Sequence, residues 1–365
     1  MNPLITILLF ILVLGILVLV HEIGHFLLAR IFRVGVEEFG IGFPPRVWSK
    51  KIGPTVYSIN AIPVGGFVRV KGVAGDERLE EQESHDADSF AAQPFWKRFL
   101  ILFAGIAMNI FLAAVFFIIT FWIGIRSVVP DTYTGTDAQL SVTYVEKNGP
   151  ADVAGVEIHD VILSVDAQEV RAIDDFRSYI QSHTDTVVTV RVERDGEQRD
   201  LSVTPAEVSV HGETVTGVGV GLVSTAIVHD SFIQGIVDGL RTTWNALLAI
   251  VIGFWDLLRH LVLRDQPVAD QLSGPVGIAV LTHEFAQEGV SQLLQFAAIL
   301  SLNLAIFNLL PFPMLDGGRI FFLCVELVRR KPVSHQFEAR VHQIGFLLLF
   351  GLLIFVTIKD VAKIF

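Results

Sequence analysis

Sulfur chemistry is nearly absent from this sequence: among 365 residues there is one cysteine, Cys324. A single cysteine closes no internal disulfide and builds no thiolate metal cluster, so any metal must be held by His, Asp or Glu. Charge is scarce as well, at 18% of residues, against about 25% in an ordinary soluble domain. The charge present sums to −11, which argues against the basic face that a nucleic-acid partner requires. Apolar residues take up the difference, at 52% of the chain with a mean hydropathy of +0.57.

That apolar content is gathered into runs. Residues 1–20 carry no charge, and about 20 apolar residues suffice to span a bilayer as a helix. A secretory leader is the competing reading, but no basic n-region and no small-x-small cleavage pattern accompany the run. Instead His21, Glu22 and His25 continue the same apolar helix toward Arg30. Further uncharged runs occupy 99–125 and 289–315, the last broken by Pro311 and Pro313, and a shorter one occupies 344–358. The stretch 242–255 is apolar but short, which suits an interfacial or buried helix better than a span. The fold class expected is an α-helical polytopic membrane protein with about four transmembrane helices, five being the alternative.

Lysine and arginine bias orients such a protein. Arg33, Arg46, Lys50, Lys51, Arg69, Lys71, Lys97 and Arg98 follow the first run, and Arg319, Arg329, Arg330 and Lys331 follow the third. Both loops read as cytoplasmic. Both termini and the long middle region then lie outside the cytoplasm, in a multi-pass membrane protein. Within the first loop, residues 55–71 mix β-branched and aromatic residues around a Pro/Gly turn and read as a β-hairpin. Residues 75–90 are acidic and read as a solvated loop. The middle region changes character: short alternating strands such as 187–192, a turn at Asp195-Gly196 and a helical stretch over 173–183 predict an inserted α+β domain. The expected division is 1–127, a membrane region with the hairpin loop; 128–226, the inserted domain; and 227–365, a linker helix and the C-terminal membrane region.

His21 and His25 stand four residues apart, which on a helix places both imidazoles on one face, able to share a metal ion. Glu22 is placed to act as a general base without being a ligand. Three ionisable residues at a helix end facing water would be the bland alternative, but these interrupt an apolar segment, where such groups are costly unless they face a cavity or a metal. At about 1.5 Å per residue, His21 lies roughly 25 Å along a helix that starts near Pro3, inside a hydrocarbon core about 30 Å thick. Two histidines leave zinc in need of a third protein ligand. Asp316 is the first acid after the third run, in a Pro/Gly-rich break of the kind tolerated at membrane depth only where it is buried or lines a cavity. It is the natural third ligand, a carboxylate at the membrane surface being the alternative.

His21-Glu22-Ile23-Gly24-His25, together with Asn308-x-x-Pro-x-Pro-x-Leu-Asp316-Gly-Gly, is similar to the paired signature of site-2 proteases. The pairing is far more specific than either half. Gly40-Ile-Gly-Phe-Pro-Pro45 and Ile62-Pro-Val-Gly-Gly-Phe-Val68 resemble the family's first-loop β-hairpin, and Phe103-Ala-Gly-Ile-Ala-Met-Asn109 resembles its second core helix, with Ile106 where bacterial members often have Pro. Gly149-Pro-Ala-x-x-Ala-Gly-Val156, with Asp160-Val-Ile162, resembles a bacterial PDZ domain, and Ser273-Gly-Pro-Val-Gly-Ile278 is a further match. The chain looks most like the regulatory branch that cleaves membrane-bound anti-sigma factors, with one PDZ domain where its best-known members have two.

The resemblance implies one Zn2+ per chain on His21, His25 and Asp316, with Glu22 as general base and proton shuttle. Asn308 matches a residue thought to hold the substrate or the oxyanion; a helix–helix hydrogen bond is its other reading. Gly65, Gly66 and Phe67 match the hairpin thought to touch substrate. Implied partners are the lipid bilayer, single-span membrane proteins (an anti-sigma factor or a remnant signal peptide among them) and a peptide or C-terminus at the PDZ domain. His283 and His342 read as interfacial, Gly235-x-x-x-Gly239 as a small-xxx-small helix contact, and Trp244 and Trp255 as interfacial anchors. Two other functions compete. A non-catalytic adaptor has no use for Glu22 beside two histidines. A zinc protease with Glu as third ligand does not explain the Leu315-Asp316-Gly317-Gly318 context.

Overall fold

The computed structural model describes residues 3–73, 86–130, 133, 135, 137–194, 196–210, 213–263, 274–331 and 333–364. The acidic stretch lies outside these as far as residue 85, as do Asp195 of the expected turn and Ser273. The chain divides into two units, Met1–Trp122 with Ser231–Phe365, and Ile123–Asp230.

The first unit opens with α1 (Pro3–Ile31), β1 (Val36–Ile52), β2 (Thr55–Val70) and α2 (Phe95–Ile123). Neither long helix is amphipathic; each is apolar nearly all round, as a helix satisfying its own backbone groups in lipid is free to be. They run antiparallel, with Ala29 beside Ile101 and Leu102 at one end, and Val13 and Leu17 beside Leu112 and Phe116 further along. Gly24 lets them approach, since a Cβ there would lie 2.5 Å from the Ala104 carbonyl oxygen.

The sheet between these helices differs from the hairpin expected within 55–71. The hairpin turns at Gly53-Pro54, and β2 does not fold back on itself. Glu38 through Ile41 face Arg69 through Gly66 on one side and Val56 through Ile59 on the other, while 46–52 pair with 55–60. The Pro/Gly stretch carries β2 from one flank of residues 38–41 to the other, with Gly65 at φ +75°. Alternation revealed the extended arms; of the strand separating them, 36–41, only the end was legible, where Gly40–Pro45 resembles the family's hairpin. Glu38 holds the sheet together from inside: it is buried, accepts from Arg46 at 2.6 Å and from Ser58 at 2.7 Å.

The second unit contains β3 (Ile125–Val128), β4 (Gln139–Val145), the single turn α3 (Pro150–Val153), β5 (Val161–Val165), β6 (Gln168–Glu169), α4 (Ile173–Ser182), β7 (Val188–Arg194), β8 (Glu197–Val203), β9 (Ala206–Val210), β10 (Glu213–Gly217) and β11 (Val220–Val228). One sheet runs β3-β11-β4-β5-β7-β8, with β6 beside β5, and β9 and β10 form a separate pair. Alternate residues of the central strands (Leu140 and Val142; Val188, Val190 and Val192) face a core that α4 covers with Phe176 and Ile180. These two lie one helical turn apart. Asp160, buried at the start of β5, receives both Nε and an Nη of Arg194 at 2.6 and 2.7 Å.

The chain returns to the first unit with α5 (Phe232–Leu263), α6 (Pro275–Glu288), α7 (Val290–Leu309), α8 (Asp316–Arg329) and α9 (His335–Ile364). By length and composition five described helices, α1, α2, α5, α7 and α9, are apolar enough to cross a membrane. The sequence reading of α5 stopped at its uninterrupted apolar core, whereas the helix begins ten residues earlier and tolerates Asp238 and Arg241 on its exposed face. Gly235 and Gly239 seat it against α2, where a Cβ would lie 2.6 Å from the Trp122 ring and 2.5 Å from Ile118 Cγ1. α7 runs parallel to α1, its Ala297 packed with Val13 and Leu17. Asp360 of α9 accepts the Gly277 backbone N–H at 2.8 Å, which anchors the start of α6.

Candidate metal centre

His21 and His25 occupy one face of α1, both buried, their rings edge-on with centroids 4.7 Å apart. Asp316 begins α8, and its Oδ2 lies 2.9 Å from His21 Nε2 and 3.3 Å from His25 Nε2, while the two Nε2 atoms are 3.1 Å apart. Ligand atoms on a tetrahedral zinc with bonds of about 2.0–2.1 Å are separated by roughly 3.3 Å. The triangle therefore has the size of one face of such a tetrahedron. Two imidazoles and a carboxylate are a donor set of the kind that catalytic zinc sites use, where water takes the fourth position. This is the only group of three potential metal ligands among the described residues.

The surroundings hold the triangle in place. His25 Nδ1 donates to the Ile101 carbonyl at 2.8 Å. A carbonyl can only accept, so Nδ1 carries the proton of neutral His25 and Nε2 presents a lone pair. His21 Nδ1 lies 3.2 Å from the Asn109 amide. Between these contacts α2 presents Gly105, where a Cβ would lie 2.5 Å from His25 Nε2 and 2.7 Å from His21 Nε2. Asp316 is carried by the break between α7 and α8. Pro311 and Pro313 end helical bonding there, and Met314 sits at φ +84°. Its backbone N–H donates to His342 Nδ1 on α9 at 2.7 Å. Gly317 and Gly318 close the turn, since a Cβ on either would run into the backbone of Leu309, Leu310 and Phe312. The prolines and glycines of the Asn308–Gly318 segment are thus geometric requirements for bringing a carboxylate back to α1.

The other expected site residues lie nearby, with one distinction. Glu22 adjoins His21, half-buried, with the Val68 backbone hydrogen-bonded to its carboxylate. Gly65 and Gly66 pass against α1 one turn earlier: their Cβ positions would meet Val18 at 2.7 Å and the Gly40 carbonyl at 2.7 Å. Phe67 covers Gly40 and stacks with Phe43. Among the described residues no other strand pairs with the outer edge of residues 66–70. Asn308 ends α7, half-buried, and its side chain makes no hydrogen bond to the described residues; it is not part of the triangle. His283 is buried on α6, without a hydrogen-bond partner among the described residues. Sequence reasoning missed the contributions of Gly105, Asn109, His342 and Val68. Each acts by space or by one contact across the fold, and neither leaves a spacing signal.

Comparisons with known proteins bear on this geometry. The model of peptidase family M50 matches residues 9–352. A putative zinc metalloprotease of Clostridium perfringens is 34% identical over 94% of this chain and 95% of its own. The zinc metalloprotease RasP of Geobacillus kaustophilus is 33% identical over 98% of this chain and 97% of its own. The regulator of sigma-W protease RasP of Bacillus subtilis is 30% identical over 99% of both. Among solved structures, the PDZ domain of an SdrC-like protein from Listeria monocytogenes aligns with 26% of this chain and 93% of that one, at 21% identity and a TM-score of 0.21. With relatives aligned over nearly their full lengths and a family model that spans most of the sequence, the chain belongs to peptidase family M50, the site-2 proteases.

Proposed function

We propose that this chain is a zinc endopeptidase that cuts membrane-spanning segments of other proteins, with His21, His25 and Asp316 as its zinc ligands. The observation that carries the reading is the triangle of two imidazole nitrogens and one carboxylate oxygen inside an apolar helical unit, with Glu22 beside it. Zinc bound there supplies a Lewis acid and lowers the pKa of water to about 7. Glu22 takes the proton of the attacking water and delivers it to the leaving amine. Asn308, whose side chain is uncommitted, donates a hydrogen bond to the developing oxyanion. The unpaired edge of residues 66–69 holds the substrate extended by backbone hydrogen bonds, with Gly65 and Gly66 keeping that strand close to α1 and Phe67 against the substrate.

The same reading makes the protein a multi-pass resident of the cell inner membrane, cleaving single-span proteins such as anti-sigma factors or remnant signal peptides. With four crossings, α1, α2, α7 and α9, the loop charges support a topology in which both termini and the 123–230 unit lie outside the cytoplasm. That unit is read as a PDZ domain. Its β11 pairs with β4 over Val220–Thr225 but with β3 only over Thr225–Val228, which leaves one edge of Val220–Val223 unpaired among the described residues beside α4. An added peptide strand, ending in a free C-terminus, fits such an edge. The test is cleavage of a single-span reporter by purified protein in detergent, wild type beside Glu22→Gln. Cutting within the span by the wild type alone is the expected result. Equal cutting by both removes Glu22 from the chemistry, and cutting only outside the span removes the intramembrane reading.

A further inference from the structure

We infer that Asn109 is a positioning residue for His21: its amide oxygen accepts the Nδ1 proton that His21 must carry when Nε2 is given to the metal. The inference rests on the metal reading above and concerns a residue to which that reading assigns no role. Asn109 is fully buried on α2, with its amide nitrogen 3.2 Å from His21 Nδ1. Its amide oxygen is also buried and finds no partner among the described residues. In either orientation only one end of this buried amide meets His21, so the contact at Nδ1 is what decides which end it is.

The two ends of an asparagine amide have nearly the same shape, and hydrogen bonding decides which faces which partner. With the nitrogen toward His21, the amide donates to Nδ1, which must then be unprotonated. Neutral His21 would carry its proton on Nε2, 2.9 Å from Asp316 Oδ2. That arrangement gives Nε2 a proton where a metal ligand needs a lone pair. Turned about its terminal bond, Asn109 presents the oxygen to an Nδ1–H, and the Nε2 lone pair faces the triangle. His25 already has this tautomer, fixed by the Ile101 carbonyl on the same helix. α2 thus carries an acceptor for each histidine: a fixed one for His25 and a reversible one for His21. Asn109 is itself well placed for this, because its own carbonyl receives the Ser301 hydroxyl of α7 at 2.8 Å, where both residues are fully buried. The outer partner of a metal-bound histidine commonly sets about 10–100-fold in metal affinity.

The test is zinc affinity of the full-length protein in detergent, by competition with a chromophoric chelator, for wild type, Asn109→Leu, Asn109→Asp and Ser301→Ala. Asn109→Leu removes the acceptor at similar volume and is expected to bind zinc about 10–100-fold more weakly. Asn109→Asp supplies only acceptors and is expected to hold zinc at least as tightly as wild type. Ser301→Ala loosens the contact between α2 and α7 without touching the histidine and should leave the affinity within about threefold. Wild-type affinity in Asn109→Leu overturns the inference. So does a tenfold loss in Asn109→Asp, which decides the matter even where Asn109→Leu fails to fold. A wild type that takes up no zinc overturns the metal reading and this inference with it, whereas equal zinc binding by wild type and Asn109→Leu leaves the metal reading standing and removes Asn109 alone.

Discussion

A methyl group on Gly105 would lie within 2.7 Å of both histidine Nε2 atoms, in space that the imidazoles and any metal between them require. Gly105→Ala should therefore keep the helix, since alanine is the better helix former, yet lose most bound zinc. Metal content together with a circular dichroism spectrum checks this; full zinc in a folded variant would show that α2 can retreat. The residues to which the proposal assigns the protons and the metal stood out in the sequence because His21, Glu22, His25 and Asp316 are ionisable groups in sequence that otherwise avoids them. Gly105 is one of 30 glycines, and nothing in its neighbours announces two rings packed on it. His342 read as interfacial because its bond to the Met314 N–H depends on how α9 returns to the turn before Asp316.

At the scale of elements, packing between helices depends on small residues and packing within the 123–230 unit on an internal charge pair. Gly239 lies so close to Ile118 that Gly239→Val must push α5 off α2 or strain both, an overpacking cost of about 1–3 kcal/mol. A lowered thermal midpoint in detergent is the expected reading, and an unchanged one means that the contact yields freely. In the other unit Asp160 is almost wholly enclosed and bonded twice by Arg194. Asp160→Ala removes the enclosed half of this pair while Arg194 keeps Glu157 and the Gly155 carbonyl, and should cost about 1–3 kcal/mol, seen as earlier denaturant unfolding and faster proteolysis within 123–230. The Gly235–Gly239 contact was visible as a spacing, and the helix and strands of the second unit as periodicities. The sheet after α1 was legible only in part, since alternation marks extended segments but not their partners. Residues 38–41 lie between the two arms that the sequence suggested would pair with each other. The extent of α5 was hidden for another reason: Asp238 and Arg241 interrupt the run on a face the helix leaves exposed.

For the molecule as a whole, an apolar helical unit surrounds a polar triangle and a separate α+β unit is inserted between α2 and α5. Composition made this division legible, since charge and short strands concentrate in the middle of the chain and long apolar runs at either side. The membrane and the metal are linked: buried ionisable groups in so apolar a unit are tolerable chiefly when something binds them. Zinc on His21, His25 and Asp316 is the central claim, and the direct measurement is bound zinc per chain in purified wild type, Glu22→Gln and Asp316→Ala. About one zinc is expected in the first two, as for a site with three protein ligands and a separate base, and less than about a tenth of that in Asp316→Ala. Full zinc retained by Asp316→Ala would contradict the account, because the third ligand would then have to come from elsewhere in the chain.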